Sequence, residues 1–83
     1  MPKDQDAEMG KALGVWMKRS NIRVADLQKK MGWSYQYSWH VARGNQKFSR
    51  AAYGTFIMAF GVDALREVAR IAGVNLDKTE DPD

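Results

Sequence analysis

Residues 32–44 have the sequence Gly32-Trp33-Ser34-Tyr35-Gln36-Tyr37-Ser38-Trp39-His40-Val41-Ala42-Arg43-Gly44. Gly32 supplies the left-handed backbone position that commonly ends a helix. Ser34 is placed to cap the next helix, because its hydroxyl can accept a hydrogen bond from an amide of the first turn. The stretch therefore predicts a turn followed by a short helix from about Tyr35 to Ala42, which stops at Gly44.

Before this stretch, apolar residues recur at spacings of three and four, which is typical of one face of a helix. The spacing predicts a first helix from about Glu8 to Arg19, which Ser20 and Asn21 end, and a short second helix, which Gly32 ends. The residues of the two apolar faces are Met9, Leu13, Trp16 and Met17 in the first helix and Val24, Leu27 and Met31 in the second.

Two more helices are predicted after the stretch. Ser49 is placed to cap a fourth helix that Gly61 closes, and Asp63 is placed to cap a fifth that ends before Gly73. No strand-like alternation or internal repeat competes with this pattern, so the sequence predicts an all-α fold of five helices. The expected core consists of Trp16, Leu27, Met31, Val41, Phe56, Ile57 and Phe60.

The composition sets limits on the class of protein. The 83 residues have room for one small domain, and 45% hydrophobic with 28% charged residues is typical of a soluble globular chain. The absence of cysteine and the single histidine exclude a disulfide framework, a thiolate zinc site and a multi-histidine metal site within one chain. No apolar run approaches the roughly 20 residues that a transmembrane helix needs, and the N-terminal residues 1–6 are too polar for a signal peptide, so we expect neither feature. We therefore expect a cytoplasmic protein without a metal, a cofactor or a membrane partner.

Charge is segregated along the chain. Residues 1–8 carry a net charge of −2 and residues 51–83 carry −3, whereas residues 9–50 hold nine lysines and arginines against one acid, Asp26, for a net charge of +8. So concentrated a positive field favours a polyanion, because each neutralised phosphate releases condensed counterions. The alternative is a solvated basic face that serves solubility alone. We expect a polar N-terminal arm (1–8), one domain (9–74) and an acidic flexible tail (75–83).

The ordered caps, glycines and apolar positions resemble the lambda-repressor-like, or XRE, helix-turn-helix family of phage repressors and bacterial regulators. The resemblance covers roughly residues 10–73. It is carried by Leu27, Met31-Gly32-Trp33-Ser34, Val41, Arg43-Gly44, Ser49, Tyr53, Phe56, Ala59 and Phe60-Gly61-Val62. It implies a five-helix DNA-binding domain whose second and third helices form the helix-turn-helix. The function that it implies is that of a transcriptional regulator, a repressor of phage or mobile-element type that binds a palindromic operator as a dimer.

The resemblance also implies roles for individual residues. Base edges in the major groove would be contacted from one face of the third helix, by Tyr35, Gln36, Trp39 and His40. The amide of Gln36 can both donate to and accept from adenine. Phosphate contacts would come from Arg19, Arg23, Arg43, Asn45, Gln46, Lys47, Ser49 and Arg50, with Lys18 beside them. Apart from the resemblance, the apolar set of the fifth helix is broader than one stripe needs, so a dimer contact is expected at Leu65, Val68 and Ile71, unless Ile71 and Val74 fold back onto the first helix. Trp33 is expected in the core, and Trp39 either there or at the bases.

Four positions depart from the family pattern. Gln28 stands where relatives most often have alanine, and Ser38 stands at an inward aliphatic position. We predict that these two side chains hydrogen-bond to each other across the helix crossing, so that neither buried polar group is unpaired. Arg23 and Val24 stand where relatives have serine or threonine followed by glutamine, so Arg23 is expected to act as a simple phosphate cation.

Two other classes of function compete with DNA binding. A protein-interaction module, such as an antitoxin or an inhibitor, would use the same helical surface, since tryptophan and tyrosine are also favoured interface anchors. Catalysis by His40 would need a partner nucleophile and a substrate pocket, and the sequence supplies neither. We therefore expect neither an enzyme nor a small-molecule ligand.

Overall fold

The structure, a computed structural model, describes residues 4–75. Its elements in chain order are α1 (Gln5–Arg19), α2 (Val24–Met31), α3 (Tyr35–Ala42), a 3₁₀ turn (Arg50–Ala52), α4 (Tyr53–Phe60) and α5 (Val62–Ala72). The predicted all-α class with five α-helices is confirmed for this part of the chain. No helix within it has both the length and the apolar character that are needed to cross a bilayer.

Helix α1 starts earlier than predicted, at Gln5 instead of Glu8. The Asp4 carboxylate accepts a hydrogen bond from the Ala7 amide at 3.2 Å and so caps the helix. Asp6 and Glu8 then lie in the first turn, where the helix dipole favours negative charge. Residues 5–8 of the expected polar arm are therefore helical, while residues 76–83 of the expected tail lie outside the described residues.

The helix ends around α3 form as the sequence predicts. The Ser34 hydroxyl accepts a hydrogen bond from the Tyr37 amide at 3.1 Å. Gly32 and Gly44 adopt left-handed backbone angles, with φ of 74° and 77°. α2 and α3 are thus separated by three residues, and α3 stops after two turns.

Two predicted caps are wrong. The side chain of Ser49 makes no capping hydrogen bond, and the 3₁₀ turn separates this residue from α4. Asp63 lies inside the first turn of α5 instead of before it. The reason is Gly61, whose φ of 99° and ψ of 157° lie in a region that is essentially restricted to glycine, and which lets α5 start directly at Val62.

The core lies where α1 packs against α3 and α5, and where α4 packs against α2 and α5. Ile57 and Phe60, which were predicted as core residues, are half-buried at its edge. Phe48, in the connection after α3, is a core residue that was not predicted, and its ring centroid lies 5.3 Å from that of Phe56. The buried apolar residues are Met9, Ala12, Leu13, Trp16, Met17, Leu27, Met31, Val41, Phe48, Phe56, Leu65, Val68 and Ala69.

Two glycines of α1 allow the connection after α3 to lie directly on the helix backbone. A Cβ atom at Gly10 would lie 1.9 Å from the carbonyl oxygen of Gln46, and one at Gly14 would lie 2.9 Å from that of Ala42. The Phe48 amide also donates a hydrogen bond to the Asp6 carbonyl at 3.0 Å. These contacts hold the end of α3 and the following residues against α1.

The predicted hydrogen bond between Gln28 and Ser38 is not formed. Ser38 is fully buried, and its hydroxyl has no hydrogen-bond partner among the described residues. Gln28 is only half-buried, so water can reach its amide without help from Ser38. Helix α3 therefore carries on its inward face a hydroxyl that no residue of 4–75 pairs with.

Helix α5 uses most of its apolar face within the chain. Leu65 and Val68, which were predicted for a dimer contact, are 4% and 0% exposed and belong to the chain's own core. Ile71 and Val74 are half-buried and pack against that core. Of the three residues predicted for the dimer contact, Ile71 alone keeps surface that a second copy can touch.

Candidate nucleic-acid interface

Helix α3 turns one face outward. It buries Ser38 and Val41 on its inner side. Its outer side carries an open depression, which we call the aromatic depression, lined by Tyr35, Gln36, Trp39 and His40. The side chains of Tyr35 and Trp39 are 56% and 38% exposed. The structure thus brings the four residues predicted to contact bases together on one surface.

Trp39 lies on the surface and is held there by two neighbours. The Arg43 guanidinium stacks over its indole ring, 4.6 Å from the ring centroid. The His40 ring lies 5.1 Å away and is nearly perpendicular, at 83°. Because a cation over an aromatic face is attracted by the ring quadrupole, the Arg43 guanidinium restrains the position of the Trp39 indole ring. Of the two positions considered for Trp39, the structure has the exposed one.

Trp33 and Tyr37 form a second aromatic pair next to the core. Their ring centroids lie 4.8 Å apart at an angle of 73°. Both side chains are half-buried and pack against the core, so Trp33, which was predicted in the core, lies at its edge. This pair belongs to the packing of the turn between α2 and α3, and neither ring lines the aromatic depression.

A groove with three cations continues from the aromatic depression. One part, lined by Lys18, Val24, Trp39, Ala42 and Arg43, shares Trp39 with the depression. The other part shares Lys18 and Arg43 with the first and is lined by Lys11, Gly14, Val15, Lys18, Ala42, Arg43, Gly44 and Asn45. We call these two parts the basic groove. None of the residues that line the groove or the depression is acidic.

Lys11 belongs to this groove but was missed by sequence reasoning. It lies seven residues before Lys18, with Gly14 and Val15 between them, and this spacing puts the two lysines on one face of α1. The seven-residue spacing is the feature of the sequence that indicates a common face for Lys11 and Lys18. What it could not show is that Gly14 brings this face of α1 against the end of α3.

The residues predicted for phosphate contacts do not all line the basic groove. Arg43 and Asn45 line the basic groove. The others lie outside the lining of the groove, exposed in the case of Arg19, Arg23, Lys47 and Arg50 and half-buried in the case of Gln46 and Ser49. The backbone amide of Arg23 donates to the Asp26 carboxylate at 3.2 Å, so the one acid of residues 9–50 caps α2.

Lys47 is engaged within the chain, since its ammonium lies 2.8 Å from the Asp4 carboxylate. The hydrogen bond from Lys47, with a smaller effect from the Ala7 amide, lowers the pKa of Asp4 below 3.8. The same hydrogen bond raises the pKa of Lys47 above 10.5. Both groups are therefore charged across the physiological pH range.

The described residues contain no cluster of side chains typical of a metal site. No group of three or more histidine, cysteine, aspartate or glutamate side chains in residues 4–75 is arranged to hold a metal ion.

Comparison of the chain with protein-family models, with curated proteins and with solved structures gives no match. The resemblance to the helix-turn-helix family therefore rests on the residue pattern alone.

Proposed function

We propose that the protein binds double-stranded DNA in a sequence-specific manner and inserts α3 into the major groove. The observation that carries the proposal is the continuity of the aromatic depression with the basic groove, which places hydrogen-bonding side chains next to Lys18 and Arg43. The major groove is about 12 Å wide and admits one α-helix. In this arrangement the depression meets base edges while the groove meets phosphates.

Each side of the surface has a distinct task in the proposal. The Gln36 amide pairs with the exposed edge of adenine, and Tyr35 and His40 contribute single hydrogen bonds. Lys11, Lys18 and Arg43 neutralise phosphates and add affinity without sequence preference. The lack of a carboxylate among the lining residues supports this division, because an acid there would repel the DNA backbone.

The biological role that we propose is transcriptional regulation, as a repressor of phage or mobile-element type. A two-turn helix reads only a few base pairs, so a dimer on a palindromic operator, with half-sites about 34 Å apart, would extend the site. Because Leu65 and Val68 are buried, a second copy would have to use other apolar surface. Met58 on α4 is 88% exposed and offers such apolar surface.

Selection of bound duplexes from a random DNA pool tests the proposal. We expect a short sequence to be enriched, and an inverted repeat if the protein binds as a dimer. The Gln36→Ala variant should lose the preference at one base pair and keep the rest. Gln28→Ala is the matched control, since it removes the same amide from α2, outside the lining of the depression. A pool without any enriched sequence would contradict the proposal.

A protein-interaction module remains the second candidate. It is favoured by the exposure of Tyr35 and Trp39, because exposed aromatic side chains are frequent interface anchors. The two functions differ in their response to salt, since phosphate contacts weaken steeply as salt rises and an aromatic protein interface does not.

A further inference from the structure

The aromatic depression is unusual for a surface that is proposed to contact bases. Three of its four lining side chains, Tyr35, Trp39 and His40, are aromatic rings, and Gln36 is the one amide. Rings offer at most one or two hydrogen-bonding atoms each and otherwise present apolar surface. A surface of this kind is suited to an apolar group that lies directly beside a hydrogen-bonding one.

The major groove of a duplex exposes one apolar group on its base edges, the C5 methyl group of thymine. A whole base could fill the depression only if it left the stack, and extrusion costs a few kcal/mol. The methyl group is accessible without unpairing. The basic groove, which shares Trp39 with the aromatic depression, favours a ligand that is also a polyanion.

We propose that the aromatic depression binds the C5 methyl group of a thymine, next to the adenine that Gln36 reads. This inference rests on the proposed function. It identifies the base pairs that α3 recognises: they are A·T pairs. Trp39 is then a specificity-determining residue, and Arg43 positions it by stacking over the indole at 4.6 Å.

The test uses the duplex enriched by selection and replaces each of its thymines, one at a time, by deoxyuridine. This change removes the methyl group and keeps the base pair. Burial of one methyl group corresponds to about fourfold in affinity, so we expect binding to weaken about fourfold at one thymine of each half-site. Substitution of the remaining thymines should change the dissociation constant, measured by fluorescence anisotropy, by less than about twofold.

The variants Tyr35→Ala and Trp39→Ala should bring the ratio of dissociation constants between the uracil and thymine duplexes close to one at that position. Because the ratio is taken within one variant, a general loss of affinity cancels. Trp39→Phe keeps an apolar wall and should keep most of the ratio, and Thr55→Ala, a change at an exposed position of α4, should leave it intact.

Three results would overturn the inference while DNA binding stands: an enriched sequence without thymine, a ratio of one at every thymine with the unmodified protein, or an unchanged ratio in both alanine variants. Loss of all sequence preference in the selection would instead overturn the proposed function, and the inference with it.

Discussion

The Lys47 ammonium lies 2.8 Å from the Asp4 carboxylate and joins the connection after α3 to the start of α1. The same carboxylate caps α1 by accepting a hydrogen bond from the Ala7 amide. Lys47 is also a predicted phosphate contact. In the proposed DNA complex, an acid of the chain itself would therefore compete with a DNA phosphate for this ammonium group.

Asp4→Asn should tighten DNA binding, because asparagine keeps the helix cap but releases Lys47. We expect a gain of about two- to fivefold at low salt, in keeping with the modest strength of exposed ion pairs. Asp63→Asn on α5 makes the same change in net charge without touching this pair and should have a smaller effect. Equal gains in the two variants would show that net charge alone is responsible.

The ion pair should give the stability a defined pH dependence. The folded pKa of Asp4 is lowered, so its contribution is complete above the unfolded value of 3.8 and is lost as the pH falls through the folded value. The folded pKa of Lys47 is raised, so its contribution is complete below 10.5 and is lost as the pH rises through the folded value. We expect the Tm of the unmodified protein to exceed that of Asp4→Asn between these limits. The difference should shrink in stronger acid, and a difference that grows there would contradict the assignment.

Two serines of the α3 region should respond to alanine in opposite directions. Ser38→Ala removes a buried hydroxyl that has no partner among the described residues, and it should raise the free energy of unfolding by about 1 kcal/mol. Ser34→Ala removes the cap of α3 and should lower it by about 1 kcal/mol. Urea denaturation of the two variants measures both changes. A loss of stability in Ser38→Ala would mean that its hydroxyl is hydrogen-bonded in solution.

The close approach of α1 to the connection after α3 can be tested at its glycines. Gly10→Ala would place a Cβ atom 1.9 Å from the Gln46 carbonyl oxygen, and we expect it to destabilise the fold by about 3 kcal/mol. Gly54→Ala in α4 is the matched control, since nothing lies within 4 Å of its added Cβ. It should stabilise the protein by about 0.5 kcal/mol. Similar stability in both variants would contradict this packing.

Much of the fold was predictable because it depends on local rules. The Ser34 cap, the Gly32 turn and the apolar spacing of α1 each involve residues within one or two turns of each other. The start of α5 was not predictable in this way. Asp63 is a residue type that often caps helices, but it does not cap α5 because Gly61 takes a glycine-specific conformation.

The features that were missed depend on contacts between segments distant in sequence. Phe48 lies in a connection without helical periodicity, and its burial depends on Phe56. Leu65 and Ile71 share an apolar face in the sequence, and only the packing of α5 separates the buried residue from the half-buried one. Within the candidate site, the face of α3 was predictable from helical spacing, whereas the place of Lys11 required the contact at Gly14.

If α3 and the basic groove bind DNA, as we propose, the dissociation constant for the selected duplex depends steeply on the salt concentration. If about six phosphates are neutralised, affinity should fall by about a thousandfold between 50 and 200 mM salt. Lys18→Ala should make the slope of log K against log salt shallower by about one for each copy of the chain that is bound. A dissociation constant that stays the same across this range would contradict the claim and favour a protein partner for the same surface.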